Sequence, residues 1–419
     1  MASVDKGIWP AKDYSRVPYR LYHDGELYAR EQERIFRGPT WNFLGFEAEI
    51  PNPGDFRQTL VGETPIVVNR GENGEVTAFV NRCAHRGAMV RRELCGNAKQ
   101  HICIYHQWCY DLGGRLMAIP FRRGIKGKGG LDPSFDMRTH GLRPLRVGII
   151  DGVVFGTLSA DAEPLEDYLG PPILEQIHRL FDRPVEILGY NRQRIRANWK
   201  LYAENTRDNY HASLLHEFLV TFGLDRSTQV GGVRMDRRHR HNITWAEAES
   251  DSEEFAHSAY AGIGVRSNYL RLKEPSLVAF HKDRADNLNI AVTSVFPSTV
   301  LVQISNSLAV RQIRPRGVDE FEVHQTMIGY RDDTPEMKLH RLRQANLVGP
   351  AGFVSMEDGE AIEIAHRASK PERDRATVIE LGGGGEISDR DYRVTDVPLR
   401  GFWSYYSELL EIEPQGGVR

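Results

Sequence analysis

Two short pairs of residues constrain this chain more than anything else in it: Cys83-Ala-His85 and, after a gap of seventeen residues, Cys103-Ile-Tyr-His106. Each pair offers one soft thiolate and one imidazole. Together they can hold a two-iron, two-sulfide cluster, with the thiolates on one iron and the imidazoles on the other. Neutral nitrogen ligands raise the potential of such a cluster above that of all-cysteine clusters. A centre of this kind passes single electrons. The competing reading is a structural zinc site with two Cys and two His. Zinc modules usually pair Cys with Cys and His with His, whereas here each pair is mixed. The flanks, Arg86-Gly87 and Gln107-Trp108, also differ from those of zinc fingers.

Two of the four cysteines sit in these pairs, and Cys95 and Cys109 are expected to be ordinary reduced thiols, not a disulfide framework. The 419-residue chain is long enough for two or three domains. Its net charge is −3, with no basic stripe interleaved with aromatics, which excludes a nucleic-acid partner. Nothing approaches eighteen consecutive apolar residues, so no membrane span is expected. Met1 to Pro10 lacks a charged start followed by an apolar run, so no secretory signal is expected. A cytoplasmic bacterial-type enzyme fits these features.

From about Thr40 to Ala160 the chain reads as short strands. Thr64–Asn69 and Val76–Val80 are apolar runs bounded by Gly and Asn, and Val147–Phe155 is a hairpin turning at Asp151-Gly152. Gly124 to Gly130 reads as a flexible loop. After Pro164 the pattern changes. Arg192 to Lys200 leads into a helical segment. Asn289–Pro297 and Val300–Ile313 look like two paired strands around a Pro-Ser turn, and Phe321–Tyr330 is another strand. Pro335–Val348 is a helix, capped by Thr334 and stopped by Gly349-Pro350. Gly382 to Gly385 reads as a loop tip. The expected class is α+β: a β-rich cluster domain, then an antiparallel sheet with helices.

A second constellation lies in Glu204-Asn-Thr-Arg-Asp208-Asn-Tyr-His211-Ala-Ser-Leu-Leu-His216. Two His and one carboxylate hold non-haem Fe(II) and leave positions open. His211 and His216 are five residues apart, which would set them roughly 140° apart on a regular helix. A π-bulge would realign them. The carboxylate must come from elsewhere, and Glu357 and Asp358 are both candidates. Asp208, three residues before His211, could reach that ring along a helix and hold its second nitrogen.

With both motifs in this order, the chain from Trp9 to Tyr406 resembles the large (α) subunits of Rieske non-haem iron aromatic-ring-hydroxylating oxygenases. The resemblance implies a [2Fe-2S] cluster on Cys83, His85, Cys103 and His106, and Fe(2+) on His211, His216 and Asp358. It makes Asp208 the acid linking the iron site to His106 of a neighbouring subunit. It also implies an N-terminal segment (1–39) packing on the catalytic domain, an all-β Rieske domain (40–160) and a helix-grip-like catalytic domain (161–419). Implied partners are a small β subunit in an α3β3 assembly and a ferredoxin or flavin reductase drawing on NAD(P)H. No G-x-G-x-x-G fingerprint with a ribose-binding acid is present in the chain itself.

Within the family, Cys103–Trp108 and Arg341–Asp358 resemble members acting on benzoate-type acids: anthranilate dioxygenase, salicylate 5-hydroxylase and terephthalate dioxygenase. Arg311 resembles the carboxylate-facing arginine of that group, and a guanidinium in an apolar strand suits a two-pronged carboxylate contact. Arg393 falls where terephthalate enzymes have a second such arginine. The expected substrate is a mono-acid, anthranilate or salicylate, with terephthalate as the alternative. Two other classes compete: a Rieske electron carrier with a passive second domain, and an oxygenase of quaternary amines or sterols.

Overall fold

The first half of the chain alternates apolar residues with turn formers, and its strands are accordingly short. They are β1 (Asn42–Phe46), β2 (Asp55–Val61), β3 (Thr64–Arg70), β4 (Val76–Val80), β5 (Cys95–Asn97), β6 (His101–Ile102), β7 (Cys109–Tyr110), β8 (Leu116–Ala118), β9 (Arg146–Ile150) and β10 (Val153–Thr157). They form three antiparallel sheets, ordered β4-β3-β2-β5, β6-β7-β8 and β1-β10-β9. The expected hairpin is there: Ile150 faces Val153 across Asp151-Gly152. Both turn residues have positive φ (46° and 78°), as a two-residue turn matching the strand twist requires. These strands form one of two units into which the chain divides, Phe36–Leu165; the other comprises Met1–Ile35 and Glu166–Arg419. The computed structural model describes Trp9, Pro414 and residues 13–248, 258–260, 272–383 and 386–412, so part of the expected Gly382–Gly385 loop tip lies outside the described residues.

The core of the Phe36–Leu165 unit gathers Phe56, Val67, Phe79, Trp108, Tyr110 and Leu142 around Cys83 and Cys103. The two cysteines are therefore core residues. Cys95 and Cys109 are unpaired thiols.

The second unit is built on a seven-stranded antiparallel sheet. Its strands are β11 (Val185–Ile195), β12 (Gly231–Met235), β13 (Asn242–Glu247), β14 (Leu288–Val295), β15 (Thr299–Ile304), β16 (Ser307–Pro315) and β17 (Phe321–Tyr330), in the order β11-β17-β16-β15-β14-β13-β12. The run Val300–Ile313, read from sequence as one strand, is two. It folds back at Ser305-Asn306, where Ser305 takes φ 52° and Ile304 pairs with Ser307. The polar triplet Ser305-Asn306-Ser307 interrupts the apolar run, and buried hydrogen bonds hold it: the Asn306 amide N–H donates to Gln344 Oε1 at 2.8 Å.

Helix Pro335–Val348 packs on β16 and β17. It starts as its sequence dictates, with Thr334 Oγ1 accepting from Met337 N at 3.2 Å and Pro335 at the first position. Helix Trp199–Asn205 packs on β16 and on helix Ser355–Ser369, which lies against β11. The close approach there depends on Gly359: a Cβ at that position would meet Gln193 Nε2 at 2.5 Å. The antiparallel sheets and packed helices are the α+β architecture expected from the sequence.

Candidate metal centres and substrate cavity

The two Cys/His pairs fold into matching loops. Cys83 O accepts from Gly87 N (3.0 Å) and Cys83 N donates to Ala88 O (2.8 Å); Cys103 O accepts from Gln107 N (2.8 Å) and Cys103 N donates to Trp108 O (2.9 Å). The fourth residue after each cysteine has positive φ, 78° at Gly87 and 55° at Gln107. The loops bring the rings of His85 and His106 to 4.4 Å, and Trp108 stacks on His85 at 4.9 Å. Both cysteines are buried, while His85 is exposed and His106 half-buried. Tyr110 Oη lies 3.1 Å from Cys83 Sγ. Burial pushes the Cys83 thiol up, and the Tyr110 hydroxyl opposes it. Two inward thiols and two adjacent rim imidazoles suit a cluster with a buried thiolate-bound iron and an imidazole-bound iron at the surface.

The second constellation also closes, though not by a π-bulge. The segment breaks into short helices, Trp199–Asn205, Ala212–Leu215 and Glu217–Thr221. His211 is the N-cap of the middle one and His216, with ψ 72°, its C-cap. A helix break therefore realigns the two histidines. Their rings lie 5.4 Å apart, and Asp358 Oδ1 is 3.3 Å from Nε2 of each. One ligand atom from each of the three residues falls within 4.8 Å of the others. Glu357 and Asp358 sit in the first turn of helix Ser355–Ser369. Burial pushes Asp358 up, but the two imidazoles outweigh it and hold its carboxyl well below the usual range. Burial pulls His211 down, and Asp208 and Asp358 more than reverse this, raising it to about 10. Two imidazoles and a carboxylate at one point form the donor set that suits Fe(II).

Asp208 lies in the linker between helices, so it does not reach His211 along a helix face. Its Oδ1 accepts the backbone N–H groups of Tyr210 (2.8 Å) and His211 (3.2 Å). Its Oδ2 is 3.4 Å from His211 Nδ1, close enough for charge attraction but short of hydrogen-bond geometry. Two neighbours take roles that sequence spacing does not assign. Glu357 Oε2 is 2.7 Å from His216 Nδ1. Asn205 Nδ2 lies 3.1 Å from Asp358 Oδ1 and 3.2 Å from His211 Nε2. The only sequence signal for Asn205 is its place among the polar residues preceding Asp208.

A cavity opens onto His211, His216 and Asp358. Ala212, Leu219, Ile290, Val292, Ile304 and Val354 supply apolar walls. Arg311 lines it from β16, 5% exposed. Its Nη1 donates to Tyr202 Oη at 3.2 Å, while Nε and Nη2 are buried without partners. Arg393 does not line the cavity. Its Nη2 donates to Asp225 Oδ1 (2.5 Å) and Asn209 Oδ1 (3.0 Å) and its Nη1 to Arg226 O (2.5 Å), while its Nε is buried without a partner.

Comparison with known proteins agrees with this layout. Residues 40–128 match the Rieske [2Fe-2S] domain, and residues 177–380 match the ring hydroxylating alpha subunit (catalytic domain). The chain is 45% identical to the anthranilate 1,2-dioxygenase large subunit of Burkholderia cepacia, over 96% of this chain and 95% of that one. The chain belongs to the Rieske ring-hydroxylating oxygenase alpha subunits. This alpha subunit is also 44% identical to a terephthalate 1,2-dioxygenase terminal oxygenase subunit alpha of Comamonas sp (97% and 98% covered). Identity to the salicylate 5-hydroxylase large oxygenase component of Ralstonia sp is 42%, with 96% of each covered. Its fold matches naphthalene 1,2-dioxygenase with indole bound, at TM-score 0.78 and 23% identity, covering 97% of this chain and 94% of that one. A ring-hydroxylating alpha subunit carries a [2Fe-2S] cluster and a non-haem iron, and is the terminal oxygenase of its system. The passive electron-carrier reading therefore falls. Among the described residues no helix is long and apolar enough to cross a membrane.

Proposed function

We propose that this oxygenase hydroxylates an aromatic monocarboxylate, anthranilate (1,2-dioxygenation to catechol) or salicylate (5-hydroxylation to gentisate), with terephthalate as the alternative. The observation that carries this reading is Arg311: a buried guanidinium with two unpartnered nitrogens, facing the cavity that holds His211, His216 and Asp358. A buried cation without a counter-ion is costly, and a substrate carboxylate would supply the missing charge in a two-pronged contact. The apolar walls would take the ring. Arg393, already paired with Asp225, leaves one carboxylate-binding arginine in the lining, which favours a mono-acid over a diacid.

In this reading Cys83, His85, Cys103 and His106 hold the [2Fe-2S] cluster, and His211, His216 and Asp358 hold the iron. When bound, the cluster supplies single electrons and the iron supplies oxygen activation. Glu357 fixes the His216 ring by its far nitrogen. Asp208 holds the start of the His211 helix and joins His211 to His106 of a neighbouring copy, so catalysis needs an oligomer. The exposed His85 and half-buried His106 favour such a contact. Reducing power comes from NAD(P)H through a ferredoxin or flavin reductase, and a small β subunit completes an α3β3 assembly in the cytoplasm.

The test is oxygen uptake and product analysis of the reconstituted oxygenase with anthranilate, salicylate, terephthalate and benzoate. Uptake coupled to a hydroxylated mono-acid product supports the reading. Coupled turnover of terephthalate alone would replace the mono-acid with the diacid.

A further inference from the structure

Three residues outside both centres, far apart in sequence, meet in the unit formed by Met1–Ile35 and Glu166–Arg419: His23, Asp319 and His366. His23 follows the turn Tyr19–Tyr22 and leads into helix Gly25–Glu31. Asp319 lies in the loop between β16 and β17. His366 sits in the last turn of helix Ser355–Ser369, the helix whose first turn carries Asp358. One nitrogen of each ring and one carboxylate oxygen fall within 4.8 Å of one another.

The local bonding is incomplete in a specific way. His366 Nε2 is 2.9 Å from Asp319 Oδ1, and His23 Nε2 is 3.0 Å from Ser369 Oγ. The two rings lie 4.4 Å apart, tilted by 38°. Nδ1 of each ring is buried without a hydrogen-bond partner, although His23 and His366 are only 5% and 4% exposed. Histidines kept for packing alone would be expected to satisfy both nitrogens, because an orphaned buried polar atom is costly. Lys370 Nζ engages the other oxygen, Asp319 Oδ2, at 2.8 Å, which leaves Oδ1 directed at the rings.

Charge state agrees with the geometry. Burial, then His366 and Arg373, pull His23 down to about 4, against a weaker pull from Asp319. Burial also lowers His366, against the Asp319 carboxylate. Burial thus disfavours the charged form of both rings.

We propose that His23, His366 and Asp319 form a second divalent-metal site, of the zinc type, with its fourth position open to water. Two imidazoles and a carboxylate suit zinc with one exchangeable position. Asp319 is half-exposed and comes from a loop, so the metal would act as a clamp. It would tie the N-terminal segment and the β16–β17 loop to the far end of the helix that presents Asp358.

Equilibrium dialysis of the iron-loaded holoenzyme against Zn²⁺, with both metals counted by mass spectrometry, tests this. The expected result is one zinc per chain with the iron unchanged, a two-imidazole shell in zinc-edge X-ray absorption, and a Tm that rises with zinc. Asp319→Ala changes an exposed side chain and should weaken zinc binding at least about tenfold while retaining iron. His366→Gln should do the same. The site is overturned if the holoenzyme takes up no zinc, if zinc enters only as iron leaves, or if Asp319→Ala and His366→Gln bind zinc as the parent does.

Discussion

Glu357 Oε2 lies 2.7 Å from Nδ1 of His216, while Asp358 Oδ1 lies 3.3 Å from Nε2 of the same ring. Neighbouring carboxylates on one helical turn thus face opposite nitrogens of one imidazole, and only Asp358 also faces His211. Asp358→Ala should leave the protein without stable iron. Glu357→Gln should keep a weaker site, with metal affinity down about 10–100-fold, as is usual when a carboxylate behind a ligating histidine is removed. Iron content after dialysis against a chelator separates the two. Complete loss in Glu357→Gln with retention in Asp358→Ala would reverse the assignment.

The Tyr110 hydroxyl lies 3.1 Å from Cys83 Sγ, and would withdraw electron density from a cluster held by that thiolate. A hydrogen bond is worth about 1 kcal/mol net. For a one-electron couple that corresponds to roughly 40 mV. Tyr110→Phe should therefore lower the cluster potential by tens of millivolts, read by redox titration of its absorbance. An unchanged potential would show that the hydroxyl does not act on the sulfur.

His241 offers a stability prediction. Its Nδ1 accepts the Phe296 N–H and its Nε2 donates to Tyr168 O, each at 2.9 Å, so the backbone specifies a neutral ring. Burial, against the opposing pull of Asp236, holds it at about 4. The unfolded chain binds this proton near pH 6.5 and the folded one only near 4, so stability is lost as pH falls through that window. The loss is roughly 3 kcal/mol. Denaturant unfolding of the holoenzyme between pH 7 and 4 should show this slope, and His241→Asn should flatten it. Equal slopes in both would assign the acid sensitivity to other groups.

How far the sequence carried depended on whether a property was local. The cluster pairs, the Asp151-Gly152 hairpin and the Thr334 cap are decided by a few adjacent residues, and all are legible. The division of Val300–Ile313 was not, because only tertiary partners such as Gln344 make the Ser305-Asn306 turn affordable inside an apolar run. The spacing of His211 and His216 suggested a bulge, whereas the chain breaks at His216 instead. Nothing local separates these outcomes. Spacing also left Glu357 and Asp358 equivalent. Their different places around His216 exist only once helix Ser355–Ser369 is docked on β11 across Gly359. Arg311 and Arg393 likewise read alike in sequence. The difference is that Asp225 reaches Arg393, while two nitrogens of Arg311 stay unpartnered.

Asp208 is tied to the His211 backbone and lies 3.4 Å from its ring. If it carries electrons between copies, Asp208→Ala should retain cluster and iron yet slow single-turnover cluster oxidation by at least about tenfold. Stopped-flow absorbance of the reduced enzyme mixed with oxygen and substrate measures this. A normal rate with both centres loaded would remove Asp208 from the route.

The central claim is that Arg311 seats a carboxylate beside the iron ligands. The most direct measurement compares KM for the preferred aromatic acid and for its neutral carboxamide, in the reconstituted parent and in Arg311→Ala. Losing a charge-assisted, two-pronged contact of about 3 kcal/mol corresponds to roughly a 100-fold rise in KM. Arg311→Ala should show that rise for the acid, little change for the carboxamide, and unchanged iron content. An Arg311→Ala enzyme that keeps the parental KM for the acid would contradict it.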